Sequence, residues 1–175
     1  MGGRVALHFA AAHPTKVRRL ILESASPGLG TEAERLERQA NDEALACEIE
    51  LHGVKDFVRR WERLPLFESQ LQLPSPVRAK RHAQRLRNTE AGLAFALRGL
   101  GTGVLPSLWE ALPSIQTRTL IIAGELDTKF VEIGEQMTAV LPQAQLLIVP
   151  GAGHTVHLER PRPWVEVVAE FICST

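Results

Sequence analysis

Three short apolar runs constrain this chain more than any other feature. They are VRRLILESA at 17–25, TRTLIIAGELD at 117–127 and AQLLIVPGAG at 144–153. Each is rich in Leu and β-branched residues, bounded by Gly or Pro, and lacks the in–out alternation of a strand with one wet face. A strand that must hide both faces reads this way, and such strands belong to parallel sheets covered by helices on each side. The first expectation is therefore an α/β fold. RVALHFAAAH, 4–13, is apolar almost all round, which marks a buried helix, and Pro14 stops it. FVEIGEQMTAVLP, 130–142, supplies the helix between the last two strands. PWVEVVAEFI, 163–172, closes the chain with Pro163 at its start and a stripe of Trp164, Val167, Val168, Phe171 and Ile172.

Between the first and second runs there is no strand signal. TEAERLERQANDEALACEIEL is helical, and Thr31 with Glu34 fits a capping box. GVKDFVRRWERLPLF, SPVRAKRHAQRLRN and TEAGLAFALRGLG predict three further helices. The reading is an α/β frame formed by 1–29 and 111–175, interrupted by an all-helical segment at 30–110. Composition narrows the function classes. Lys plus Arg equals Asp plus Glu, 20 each, so no basic nucleic-acid footprint is present. No apolar run approaches the ~20 residues of a membrane span, and no signal peptide is visible. Cys47 and Cys173 lie far apart and read as reduced thiols of a cytoplasmic protein. No spacing suggests a metal ligand set or a phosphate loop, so no metal or cofactor is expected.

Chemistry is expected at the C-terminal ends of the strands, where open α/β sheets build their sites. Three features fall there: Met1-Gly2-Gly3 ahead of the buried helix, Asp127 after LIIAGEL, and His154 after LLIVPGAG. Alone, an Asp such as Asp127 is more often a helix cap or turn residue, and a Gly-flanked loop His such as His154 is more often merely exposed. His157 competes for the same role as His154. Order and spacing make the set more specific than its members.

Taken together, these residues resemble the α/β-hydrolase superfamily. Its nucleophile elbow is G-x-S-x-G on a turn between a strand and a buried helix, and its triad runs nucleophile, acid, histidine. The resemblance makes Met1-Gly2 the end of the elbow, GELD the carrier of the acid Asp127, and GAGH the carrier of the base His154. It makes 30–110 the helical cap and the backbone at Met1 an oxyanion donor. It also places the nucleophile serine immediately before Met1 and implies that the chain is the C-terminal part of the fold, about three parallel strands with flanking helices. A chain so cut is expected to be inactive alone and, with a bare strand edge, poorly soluble.

MGGRVAL, PGL, ERQ, GELDTKF and GAGHTVHLERP together resemble a narrower family. These are the menaquinone-pathway synthases that make 2-succinyl-6-hydroxy-2,4-cyclohexadiene-1-carboxylate by eliminating pyruvate. The resemblance implies a lyase on a hydrolase fold and a small anionic carboxylate as substrate. Arg4, Arg38 and Arg87 would hold its carboxylates, with Trp61 as an aromatic wall and Lys129 close to the acid. Guanidinium forks suit carboxylates because they pair with them bidentately. Two alternatives stay open, an ester or C–C bond hydrolase of the same fold and a non-catalytic anion-binding protein. Oligomeric state is not legible.

Overall fold

The computed structural model describes residues 1–174, which fall into two units, 1–27 with 108–174, and Gly28–Ser107. The first is a three-layer α/β unit. Helix α1 (Gly2–Ala12) leads into strand β1 (Arg19–Glu23); strand β2 (Arg118–Gly124), helix α5 (Thr128–Val140) and strand β3 (Ala144–Val149) follow the helical unit, and α6 (Val156–Glu159) and α7 (Pro161–Cys173) close the chain. The strands form a parallel sheet in the order β1-β2-β3, with Leu22 opposite Ile121 and Ile121 opposite Leu146. The β2–α5–β3 unit is a crossover of the kind that parallel pairing requires.

Strand parity sorts the core into two layers. Leu20, Leu22, Ile121 and Leu146 face α1 and α5, where Leu7, Ala10, Met137 and Leu141 meet them. Ile21, Leu120, Ile122, Leu147 and Val149 face the other way, onto Val156 of α6 and Trp164, Val167, Val168 and Phe171 of α7. Each fully buried Leu, Ile or Phe contributes about 1.5–3 kcal/mol relative to exposure, so these layers carry most of the unit's stability. The three runs are not equally buried, as their sequences suggest. Only β2 is enclosed along nearly its whole length, whereas β1 and β3 keep partly exposed positions. The reason is topological: among the described residues, β2 alone has a strand on each side.

The second unit is helical. Helix α2 (Glu32–Trp61) contains a kink at Gly53, whose backbone is left-handed at φ 80°, a conformation that glycine reaches without a Cβ penalty. The kink divides α2 where the sequence separates two helices, but the second half ends at Trp61, and Pro65–Gln72 forms 3₁₀ turns instead of continuing it. Pro65 removes a backbone donor there. The Val54 N–H at the kink donates to Glu90 Oε1 at 3.2 Å. Glu90 lies on α4 (Glu90–Leu100), which α3 (Ser75–Arg85) precedes. Hydrogen bonds from its own backbone and from Val54 hold the Glu90 carboxyl below its usual range. Arg98 of α4 donates to Glu43 and Glu50 of α2 and, with the Cys47 thiol, pulls Glu43 down to about 2. Cys47 and Cys173 are free and exposed.

The capping box at Thr31 and Glu34 forms as the sequence predicts. The Glu34 N–H donates to Thr31 Oγ1, and Glu34 Oε2 accepts from the Thr31 N–H at 2.8 Å. Thr31→Ala is expected to cost about 1 kcal/mol, read as a lower denaturant midpoint for the helical unit. An unchanged midpoint would mean that the box adds nothing to an already packed helix.

Candidate active site

Asp127 stands where β2 hands over to α5. Its backbone N–H donates to the Gly124 carbonyl and its own carbonyl accepts from Phe130 and Val131, so the first turn of α5 is rooted in this residue. Asp127 is the N-cap, yet its side chain makes no capping bond. The buried carboxylate turns instead to His154, with Oδ2 2.6 Å from Nδ1. Asp127 thus occupies the cap position while its side chain serves the histidine and not the helix end. A carboxylate at Nδ1 favours the tautomer with the proton on that nitrogen, which leaves Nε2 as the basic atom. The Phe130 ring lies 4.8 Å from the imidazole, tilted by 59°, and closes one side of it.

The two loops that carry this pair are joined directly. Glu125 N–H donates to the Val149 carbonyl at 3.0 Å and Leu126 N–H to the Ala152 carbonyl at 2.9 Å. Gly124 makes the approach feasible: a Cβ there would meet the Ala152 carbonyl carbon at 2.6 Å and stand closer still to the Ala152 and Gly153 carbonyl oxygens. The histidine loop has further ties. Glu125 Oε2 accepts from the Gly151 N–H at 2.8 Å. Glu159, buried, accepts from Gly153 N–H at 2.7 Å and from Thr155 N–H at 3.1 Å.

His157 is engaged elsewhere. Its Nδ1 lies 2.8 and 3.1 Å from the two oxygens of Glu23 at the end of β1, and its ring meets Trp164 edge-on. The N-terminal features lie in the same unit. Met1 caps α1, accepting from the Arg4 and Val5 N–H groups through its carbonyl, and Arg4 is buried. Gly3 presses on the turn after β1, where a Cβ would come within 2.6 Å of Ala25 Cβ. Lys129 is exposed in the first turn of α5.

The remaining sequence candidates belong to the helical unit. Arg38 donates through Nε to the buried Asp42 at 2.8 Å. Trp61 stands between Phe57 and Phe67, with ring centroids 5.3 and 5.6 Å away. Arg87 is exposed just past the end of α3. His82, which has no evident partner in the sequence, meets Glu62 at 2.9 Å. Sequence reasoning also passes over Glu159; its one signal is an acid five residues beyond His154 in HTVHLE.

No helix among the described residues is long and apolar enough to cross a membrane. Comparison with known proteins yields close relatives. A provisionally named 2-succinyl-6-hydroxy-2,4-cyclohexadiene-1-carboxylate synthase of Bacillus subtilis (strain 168) is 46% identical over 99% of this chain. The solved MenH from S. aureus superposes with a TM-score of 0.95 at 41% identity over 97% of the chain. A thermophilic esterase from Thermogutta terrifontis follows at TM-score 0.84, with 25% identity over 98% of the chain. The chain spans 64% of the B. subtilis protein's length, 64% of the MenH chain and 61% of the esterase chain. The profile of the alpha/beta hydrolase family matches residues 1–168, and the chain belongs to that family.

Proposed function

We propose that these residues are the acid–base and cap portion of a cytoplasmic synthase of menaquinone biosynthesis. Its substrate would be a succinyl-bearing cyclohexene carboxylate from which it eliminates pyruvate. The observation that carries triad chemistry is the 2.6 Å contact of Asp127 with His154 at the C-terminal edge of a parallel sheet. Preference for the lyase over a hydrolase rests on the 46% identity to the B. subtilis relative across nearly the whole chain.

In this reading Asp127 holds the Nδ1 proton and steadies the imidazolium. His154 Nε2 takes the proton of a serine at the nucleophile elbow, and the serine oxygen takes a substrate proton beside a carbonyl. The released electron pair enters an enolate, for which the backbone N–H at Met1 is a donor. It returns as a carbon–carbon double bond while the carbon–oxygen bond to the enolpyruvyl group breaks. The departing enolpyruvate collects a proton from the acid form of the site and becomes pyruvate. Arg4, buried in the unit that holds Asp127 and His154, takes a substrate carboxylate.

The test is pyruvate release coupled to lactate dehydrogenase. The 175-residue chain alone is expected to release none. Fused to the part of the B. subtilis relative that it does not span, it is expected to turn over. A fusion that hydrolyses nitrophenyl esters but yields no pyruvate would establish the hydrolase reading instead.

A further inference from the structure

We propose that Glu159 is a positioning residue for His154, acting through the two peptide N–H groups that bracket the histidine. The proposal rests on the reading of His154 as the base. Glu159 ends the single turn α6, and its carboxylate folds back over that turn's own beginning, with Oε2 on Gly153 N–H at 2.7 Å and Oε1 on Thr155 N–H at 3.1 Å. One residue lies between the two donors, and it is His154. Glu159 is 7% exposed, so water competes little for these bonds, and hydrogen bonds to an ionised acceptor are the strong ones.

The geometry assigns separate tasks to the groups around His154. Asp127 sets the tautomer at Nδ1 and Phe130 covers one side of the ring. Neither fixes the Cα–Cβ direction from which the ring departs. Glu159 does so, by tying the Ala152–Gly153 peptide before His154 and the His154–Thr155 peptide after it to one carboxylate. The Glu159 carbonyl in turn accepts from Arg160 Nη1 at 2.9 Å, and the same guanidinium lies over Gly151, where a Cβ would come within 2.8 Å of Nη2. Glu125, by contrast, holds only Gly151, at an exposed position and three residues before the histidine. Displacements of about 1 Å in a reacting group cost on the order of 100-fold in rate, so a slack tie at these peptides reaches the chemistry although Glu159 meets no substrate.

The experiment uses the 175-residue chain labelled with nitrogen-15. Glu159→Gln keeps one acceptor oxygen and turns an NH₂ toward the other donor. Amide exchange at Gly153 and Thr155 is expected to accelerate by about 10-fold or more, and the low-field His154 Nδ1–H signal to broaden or vanish. Core amides in β2 are expected to keep their protection. Glu159→Asp retains both acceptors on a stem one methylene shorter and is expected to fall between. Glu125→Gln is expected to leave the His154 signal intact. In the active fusion, Glu159→Gln is expected to lower kcat by about 10-fold with KM within twofold. Faster exchange with an unchanged His154 signal would overturn the proposal, reducing Glu159 to a loop brace. Should Glu159→Gln fail to fold, Glu159→Asp decides: faster exchange at Gly153 and Thr155 with an unmoved His154 Nδ1–H signal sinks the idea. These spectral readouts need no substrate, so they stand or fall apart from the assay for pyruvate.

Discussion

His154→Ala in the active fusion is expected to lower kcat by about 10⁶-fold, and Asp127→Asn by about 10⁴-fold, with the protease triads as precedent. The asymmetry has a structural cause. In the proposed mechanism, removing the imidazole removes the group that takes the nucleophile's proton. Asp127→Asn leaves the ring in place but presents an NH₂ to Nδ1, 2.6 Å from where the carboxylate oxygen stands. The donor then forces Nδ1 to accept, the proton moves to Nε2, and the basic atom is lost. The double variant is expected to be no worse than His154→Ala alone, because the two residues act as a unit. Asp127→Asn keeps the shape of the buried side chain and should melt within a few degrees of the unaltered protein, whereas His154→Ala leaves the buried Asp127 carboxylate without this partner and should melt lower. Retention of more than a tenth of kcat by Asp127→Asn would remove Asp127 from the mechanism.

How much of this was legible beforehand depends on what kind of signal each residue leaves. Asp127 and His154 are legible because the fold puts chemistry at strand ends, and strand ends are visible as the places where apolar runs stop. Whether Asp127 caps α5 or serves His154 is not legible, since both roles ask for a carboxylate after a strand; only the direction of the side chain separates them. The kink of α2 is written in Gly53, whereas the 3₁₀ turns at Pro65–Gln72 follow a helical pattern that Pro65 interrupts. The unequal burial of β1, β2 and β3 leaves no trace in composition, because a strand's neighbours are set by topology and not by its own residues. Glu159 is hidden for another reason. It bonds to backbone donors, which every residue type but proline carries, so its partners Gly153 and Thr155 bear no complementary side-chain signal.

Gly124→Ala is expected to be the most damaging single methyl group in the α/β unit. The added Cβ would meet the backbone of Ala152 and Gly153, with the Ala152 carbonyl carbon at 2.6 Å. Backbone cannot swing aside as the end of a long side chain can, so either β2 or the histidine loop must move. Relief by the loop would stretch the Leu126–Ala152 and Glu125–Val149 hydrogen bonds that join it to the acid loop, and with them the Asp127–His154 contact. Overpacking of this kind costs about 3 kcal/mol, which in a chain of this size is a fall of roughly 6–12 °C in Tm. The catalytic loss is expected to exceed the loss of folded protein, by on the order of 100-fold in kcat at a temperature where the variant is fully folded. Gly99→Ala is the control, because a Cβ there meets nothing within 4 Å and Gly99 lies on α4; it is expected to be neutral or to stabilise by about 0.5–1 kcal/mol. If Gly124→Ala melts within 2 °C of the unaltered chain (about the Tm shift of a sub-kcal/mol change), the close approach of the two loops is not what brings acid and base together. The loops would then owe their meeting to Glu125, whose carboxylate reaches from the acid loop to the Gly151 N–H of the histidine loop.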